Sequence, residues 1–300
     1  MEGPQNMPNT KNPQIDVELA KCLITSQFPQ WQHLPIKAVA QSGWDNRTFH
    51  LGNEMVMRLP SKEEYAPQIL KEFQWLPMLA RGLLIQITTP LALGQPCKEY
   101  PWHWSINQWI DGETTSIERV KDLNQFAIQL AQFLQEFQKN DSTEGPIAGA
   151  HNFYRGGPLA TYDREMSTAI PLIQNEKDKH LAEQLWKDAT SSFWQDRPVW
   201  VHGDIAVGNL LVKHGELCAV IDFGQLAIGD PACDLAIAWN FFTGESRDTF
   251  RTAICLDRHT WVRALGWTFW KTLCWPVKGT DAERIIQDVL VEYQIHYSTF

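Results

Sequence analysis

Residues 199–236 read VWVHGDIAVGNLLVKHGELCAVIDFGQLAIGDPACDLA. Three apolar runs alternate here with polar stops: 198–204, 209–215 and 216–224. Their density of Val, Leu and Ile, broken by Gly and Asp, is that of short buried strands. A buried strand that ends in a polar residue sets that residue at a sheet edge, facing a cleft. The first run stops at His202-Gly203-Asp204 and the third at Asp222-Phe223-Gly224. Asp204, Asn209 and Asp222 are the oxygen-bearing set that a metal–phosphate site needs. One carboxylate orients a hydroxyl and takes its proton, while an Asn and an Asp hold Mg²⁺ on nucleotide phosphates.

The order D-x4-N followed by D-F-G is shared with the catalytic and metal loops of protein kinases. The fuller pattern is more particular. His202-Gly203-Asp204 with Gly208-Asn209 is followed by Ile221-Asp222-Phe223-Gly224, then Gly229-Asp230-Pro231 and Asp234-Leu235-Ala236. On these motifs the chain resembles the aminoglycoside phosphotransferase family of small-molecule kinases. The resemblance runs over about residues 35–300 in order, with gaps, and is strongest at 199–236. It implies an α+β, protein-kinase-like bilobal fold, with a small antiparallel-sheet N-lobe and a mainly helical C-lobe. It assigns the catalytic carboxylate to Asp204 and Mg²⁺ binding to Asn209 and Asp222. His202 supports the loop, and Asp230 and Asp234 organise the segment behind it. The implied phosphate donor is ATP or GTP.

Upstream, Asp16 caps a helix with Val17, Ala20, Leu23, Ile24 and Phe28 at helical spacing. The period then changes to strands at 35–40 and 47–59, the second folded at Gly52-Asn53. A helix over 62–81 follows, kinked or ended by Pro77, then strands near 90–94 and 103–110. Residues 1–14 read as a loose arm, 15–110 as a nucleotide-binding N-lobe, and 111–300 as the C-lobe with the catalytic loop and substrate site. In the N-lobe, Ser42 and Gly43 lie in the loop where such kinases cover phosphate, although no G-x-G-x-x-G is present. Arg58 stands where the kinase pattern has a strand Lys, and Glu72 matches that residue's helix partner. The planar guanidinium fork binds phosphate but is not equivalent to an ammonium. The backbone of Gln108 and Ile110 is the expected adenine edge.

Beyond residue 111 the pattern is helical: an apolar stripe at Leu123–Phe137, one or two helices in 158–195, and helices near 232–242, 258–275 and 281–297. Trp267 and Trp270 are candidates to stack on a substrate ring. Glu245, Asp248 and Asp281 are candidates to bind its ammonium groups. The charge distribution agrees with a cationic ligand. Residues 1–110 hold equal numbers of acids and bases, so the whole net charge of −9 falls on 111–300.

That acidity excludes a nucleic-acid binder working through a basic face. No run of 18 apolar residues is present, so no membrane span is expected. No basic-then-apolar leader opens the chain, and the six cysteines form no C-x-x-C pair. Free thiols in a cytoplasm are the expectation, with no obligate protein partner. The leading reading is a Mg²⁺-dependent kinase of a small-molecule hydroxyl, with an aminoglycoside among the acceptors. Open beside it stand a kinase of a macrolide or choline-like alcohol, a catalytically silent nucleotide-binding module, and a metal-dependent phosphoesterase.

Overall fold

The computed structural model describes residues 13–40, 43, 45–276 and 281–298. Most of the expected arm and Ser42 lie outside them. In chain order the elements are α1 (Val17–Gln27), β1 (Ile36–Ala38), β2 (Asn46–Leu51), β3 (Met55–Pro60), α2 (Ala66–Leu79), β4 (Gln86–Ile87), β5 (Pro90–Gly94), β6 (Trp104–Gln108) and β7 (Glu113–Thr114). Then come α3 (Leu123–Gln138), α4 (Asp163–Ala169), α5 (Glu176–Ser191), β8 (Val199–Val201), β9 (Leu210–Lys213), β10 (Glu216–Val220), β11 (Ala227–Gly229), α6 (Ile237–Asn240), α7 (Gly244–Ile254), α8 (Arg258–Cys274) and α9 (Ala282–His296). The chain divides into two compact units, one of Met1–Pro77 with Thr88–Ile110, the other of Met78–Ile87 with Asp111–Phe300.

The first unit is built on an antiparallel five-stranded sheet in the order β1-β2-β3-β6-β5. Strand alternation gives it two unlike faces. Phe49, Leu51, Met57, Leu59, Trp104 and Ile106 point one way and pack on Ala20, Leu23 and Ile24 of α1. Asp16 starts that helix by accepting the Leu19 N–H at 2.9 Å. On the other face the register sets Thr48, Arg58 and Ser105 side by side, next to Val56 and Asn107. Gly94 lies opposite Trp104, and a Cβ there would fall 1.9 Å from the indole ring. Only a residue without a side chain lets that Trp lie flat across its neighbour strand.

The second unit is mainly helical. The stripe of α3 is buried as its spacing requires, at Phe126, Ala127, Leu130, Ala131, Leu134 and Phe137. β9 and β10 form a hairpin closed by His214 (φ 56°) and Gly215 (φ 84°), the left-handed pair that matches strand twist. Beside them lie β4 and β7, and β8 pairs with β11. The middle of α8, from Thr260 to Trp270, is buried all round, so α8 is the central helix of this unit. Among the described residues no helix is long and apolar enough to cross a membrane.

Five elements differ from the sequence reading. β4, β7 and β11 have two or three residues each, too short to show a period. α7 was expected as connection. Its residues GESRDTFRTAI are mostly polar, and the Thr243–Ser246 capping box starts it. The strand expected through 224 stops at Val220, two residues before a left-handed Asp222.

Gly94→Ala should lower stability by about 1–3 kcal/mol through overpacking against Trp104. Gly43→Ala, where an added Cβ meets nothing within 4 Å, should change it by less than about 0.5 kcal/mol. Chemical denaturation of the two variants checks the contrast.

Candidate active site

The loop between β8 and β9 is fixed from below by one carboxylate. Asp234, fully buried, accepts the His202 N–H on Oδ2 and the Gly203 N–H on Oδ1, both at 2.8 Å. Burial pushes its carboxyl above the usual range, against the pull of His202 and of the two amide bonds. Gly203 has φ +83°, and a Cβ would come 2.5 Å from the Gln225 carbonyl oxygen, so the middle residue of the tripeptide has to be glycine. His202 is also wholly buried. Its Nδ1 accepts the Asp204 N–H at 3.1 Å and its Nε2 faces the Ile221 carbonyl at 3.0 Å. The first contact needs a lone pair on Nδ1, so the ring proton sits on Nε2 and is donated to Ile221. The ring also packs on Phe223, with centroids 4.5 Å apart. One histidine thus ties the Asp204 loop to the Asp222 loop.

A second tie is main-chain. The Ile221 N–H donates to the Asn209 carbonyl at 2.9 Å, continuing the pairing of Leu210 with Val220. Ile221, the residue before Asp222, thereby lies opposite Asn209 across the hairpin, although Asn209 and Asp222 are 13 positions apart in the chain. Asn209 Nδ2 donates to the Asp204 carbonyl at 3.0 Å and lies 3.4 Å from Asp204 Oδ2. With its nitrogen so held, the amide presents its oxygen away from Asp204. That oxygen and the Asp222 carboxylate are the hard donors that suit Mg²⁺, which keeps waters and phosphate oxygens for its remaining positions.

Asp204 itself has a partner that sequence reasoning missed. Lys271 Nζ, from the last turn of α8, donates to Asp204 Oδ1 at 2.5 Å, with side-chain exposures of 22% for Lys271 and 28% for Asp204. Burial pushes the Asp204 carboxyl up, but the Lys271 ammonium and then Arg155 outweigh it and hold it below the ordinary carboxylate range. The group is an ionised acceptor at neutral pH. Arg155 is a further residue the sequence did not single out. Its guanidinium lies 4.4 Å over the Trp270 ring and its Nε donates to Gln225 Oε1 at 3.0 Å. The only sequence signal for Lys271 was a lone base in WTFWKTLC (267–274).

Asp230 joins the loop's floor to α8. It caps the turn after it through the Ala232 N–H at 3.0 Å and receives Arg263 Nε at 2.5 Å and Nη2 at 3.3 Å. Both partners are buried, so this is a two-pronged ion pair inside the unit.

In the first unit Arg58 is ion-paired with Glu72, whose side chain is 2% exposed. Among the described residues the second carboxylate oxygen of Glu72 has no hydrogen-bond partner. Gly43 is exposed and its carbonyl accepts Arg47 Nη1 at 3.2 Å. At the end of β6 the Gln108 N–H is already given to Thr89 at 2.9 Å, so only its carbonyl is left for a base. Ile110 is buried at 8% exposure.

The substrate candidates fare differently. Trp267 and Trp270 are 3% and 2% exposed, not open platforms. Trp270 stacks on Tyr162 at 3.8 Å and donates to Glu165 at 2.9 Å, so its ring faces are filled by the protein. Asp281 caps α9 through the Arg284 N–H, and Glu245 is an exposed carboxylate in the first turn of α7, where it complements the helix dipole. Asp248 is exposed on α7. Among the described residues no hydrogen bond or ion pair joins these three to the Asp204 loop. Helical spacing did not distinguish buried Trp from presented Trp, and it gave no information on which surface carboxylates converge.

Comparison with known proteins bears on this geometry. Residues 36–269 match the model of the phosphotransferase enzyme family. An aminoglycoside 3'-phosphotransferase of Escherichia coli is 36% identical over 69 residues, 23% of this chain. The match spans only 26% of that relative's length. Among solved structures, the GDP complex of wild-type aminoglycoside 2'-phosphotransferase-IIIa superposes with a TM-score of 0.70 at 18% identity, covering 91% of this chain and 96% of that one. A macrolide 2'-phosphotransferase type I gives 0.61 at 16% identity, covering 94% and 98%. The fold is therefore the α+β, protein-kinase-like fold of these phosphotransferases.

Arg263→Met leaves the Asp230 carboxylate buried without its cation and should cost about 3–5 kcal/mol. Urea unfolding should show that loss, and Asp230→Asn in the same chain should recover part of it.

Proposed function

The chain belongs to the phosphotransferase enzyme family, and from that premise we propose that it transfers the γ-phosphate of ATP or GTP to a hydroxyl of a small molecule. The observation that carries this reading is the Asp204 loop. An ionised carboxylate sits on a loop fixed by the Asp234 clamp and the His202 bridge, with Asn209 bonded to the same residue and Asp222 following Ile221, which bonds both His202 and Asn209. Relatives with this fold have been solved with GDP, ADP and ATP, which supports a nucleotide donor.

In this proposal the acceptor O–H donates to Asp204, through the oxygen that Lys271 does not occupy. The oxygen attacks the γ-phosphorus in line, the bond from that phosphorus to the β-phosphate oxygen breaks, and the nucleoside diphosphate leaves. The hydroxyl proton passes to Asp204. Asn209 and Asp222 would hold Mg²⁺, which would offset the negative charge of the nucleotide phosphates. Arg58, oriented by Glu72, binds the upstream phosphates, with the backbone near Ser42 and Gly43. Gln108 and Ile110 offer backbone groups to the base. His202, Asp230 and Asp234 position the catalytic loop. The first unit is the nucleotide-binding lobe and the second carries the catalytic and acceptor sites.

The acceptor we propose first is an aminoglycoside, with macrolides and choline-like alcohols next. Kanamycin, streptomycin and gentamicin occupy relatives of the same fold, and the acidity of residues 111–300 supports a cationic ligand.

Incubation with Mg²⁺, ATP or GTP and a panel of these acceptors should yield one acceptor with an added phosphate by mass spectrometry. Asp204→Asn should reduce the rate by at least about 10²-fold, the order of a lost general base, with nucleotide affinity retained. Asn209→Ala and Asp222→Ala should instead weaken Mg²⁺-dependent nucleotide binding. A chain that binds nucleotide yet modifies no acceptor, with Asp204 intact, points to the binding module.

A further inference from the structure

The catalytic loop carries no base of its own. Residues 202–212, HGDIAVGNLLV, contain neither Lys nor Arg, and the first base after them, Lys213, is spent on Asp111 at 2.8 Å. Phosphoryl transfer concentrates negative charge where the acceptor oxygen meets phosphorus, so a fixed cation there lowers the barrier. Two cations approach Asp204. Arg155 is immobilised, its guanidinium laid on Trp270 and bonded to Gln225. Lys271 is not. Its ammonium has three donors, and one goes to Asp204 Oδ1 at 2.5 Å. No other hydrogen bond is made by Nζ among the described residues, so two donors remain for a ligand.

Geometry then fixes what that ligand is. An acceptor hydroxyl bonded to the Asp204 carboxylate in a near-attack arrangement lies about 3–3.5 Å from the phosphorus it attacks. An ammonium on the same carboxylate stands within one side-chain movement of the transferred group's oxygens. The stem rises from the end of α8, whose preceding turns are buried, so the head is anchored but reaches open space.

We infer that Lys271 is a further catalytic residue of the reaction proposed above: its ammonium, delivered from α8 and not from the catalytic loop, binds the γ-phosphoryl group at Asp204. The inference rests on that reading of the site, and it makes a demand the reading alone does not. Lys271 has to distinguish nucleoside triphosphates from diphosphates.

The test is calorimetric binding of the Mg²⁺ complexes of AMP-PNP and ADP, and of GMP-PNP and GDP, to the full chain. Wild type is compared with Lys271→Met, Lys271→Gln and Lys271→Arg, with the melting temperature of each recorded. Lys271→Met and Lys271→Gln should weaken the triphosphate analogue at least tenfold and the diphosphate less than twofold. Lys271→Arg should retain most of the triphosphate affinity, because a cation remains. Should Lys271→Met fail to fold, the glutamine variant carries the same comparison. Equal loss for both nucleotides, no loss, or tighter triphosphate binding would overturn the role. Wild-type protein that binds neither nucleotide would sink the kinase reading itself, an outcome seen before any variant is compared.

Discussion

Two amide N–H groups on one buried carboxylate hold the working part of this molecule together. Asp234 has no exposure, and its two oxygens are taken by the N–H groups of His202 and Gly203. A carboxylate so placed is expensive to bury, and burial accordingly pushes its carboxyl up. Rigidity is what the arrangement gains. The amides fix the peptide planes on either side of Gly203, and Gly203 must then turn at positive φ. His202 is left with one orientation, in which Nδ1 meets the Asp204 N–H and Nε2 meets Ile221. The backbone of Asp204 is thereby fixed, and Lys271 on Oδ1 completes the aim of its side chain.

α8 is the second constraint, and it acts at two points of the same surface. Arg263 grips Asp230, four residues before Asp234, and Lys271 reaches Asp204. Eight residues of helix separate the two cations, about 12 Å along the axis. The intervening residues, Ala264 to Trp270, are buried throughout, so the spacing is set by packing on α5 and α9 and by nothing mobile. The helix therefore measures the distance between the floor of the loop and Asp204. A helix surrounded by apolar neighbours has few reasons to carry a base, and here both bases it buries or half-buries are spent on carboxylates of the loop segment.

How much of this was legible in the chain depends on where the information lies. The loop residues were readable because each is encoded within a few positions: a strand, a glycine turn, an Asp or Asn at its end. The α1 cap at Asp16 and the stripe of α3 were readable for the same reason, since capping and the 3.6-residue period are local. Lys271 and Arg155 were not. Their contacts with Asp204 and Trp270 join positions far apart in sequence, and a lone base has no period. Trp267 and Trp270 were misread by the same limit. Spacing places them on a helix, but only the packing of Tyr162 and Arg155 against them decides that they are walls. Glu245, Asp248 and Asp281 illustrate the converse, acids whose local surroundings, a helix start or an open surface, already account for them.

The first unit shows a different signature of function. Its sheet has one apolar face packed on α1 and one polar face. Beside the Arg58–Glu72 pair, the Ser105 hydroxyl and both polar atoms of the Asn107 amide are buried with no hydrogen-bond partner among the described residues, and Glu72 leaves one oxygen unmet there. Buried polar groups are almost always satisfied, because each orphan costs roughly 1–3 kcal/mol. Apolar residues of similar size would remove that penalty on a face that needed only to be stable. A sheet that keeps a polar, incompletely bonded face next to the half-buried Arg58 guanidinium is shaped by something other than folding. In the second unit the same logic runs in the opposite sense. There every buried carboxylate of the loop segment is satisfied, and Asp204 keeps one oxygen only weakly engaged. Stability is given up on the polar face of the first unit and concentrated in the second where a single carboxylate is aimed.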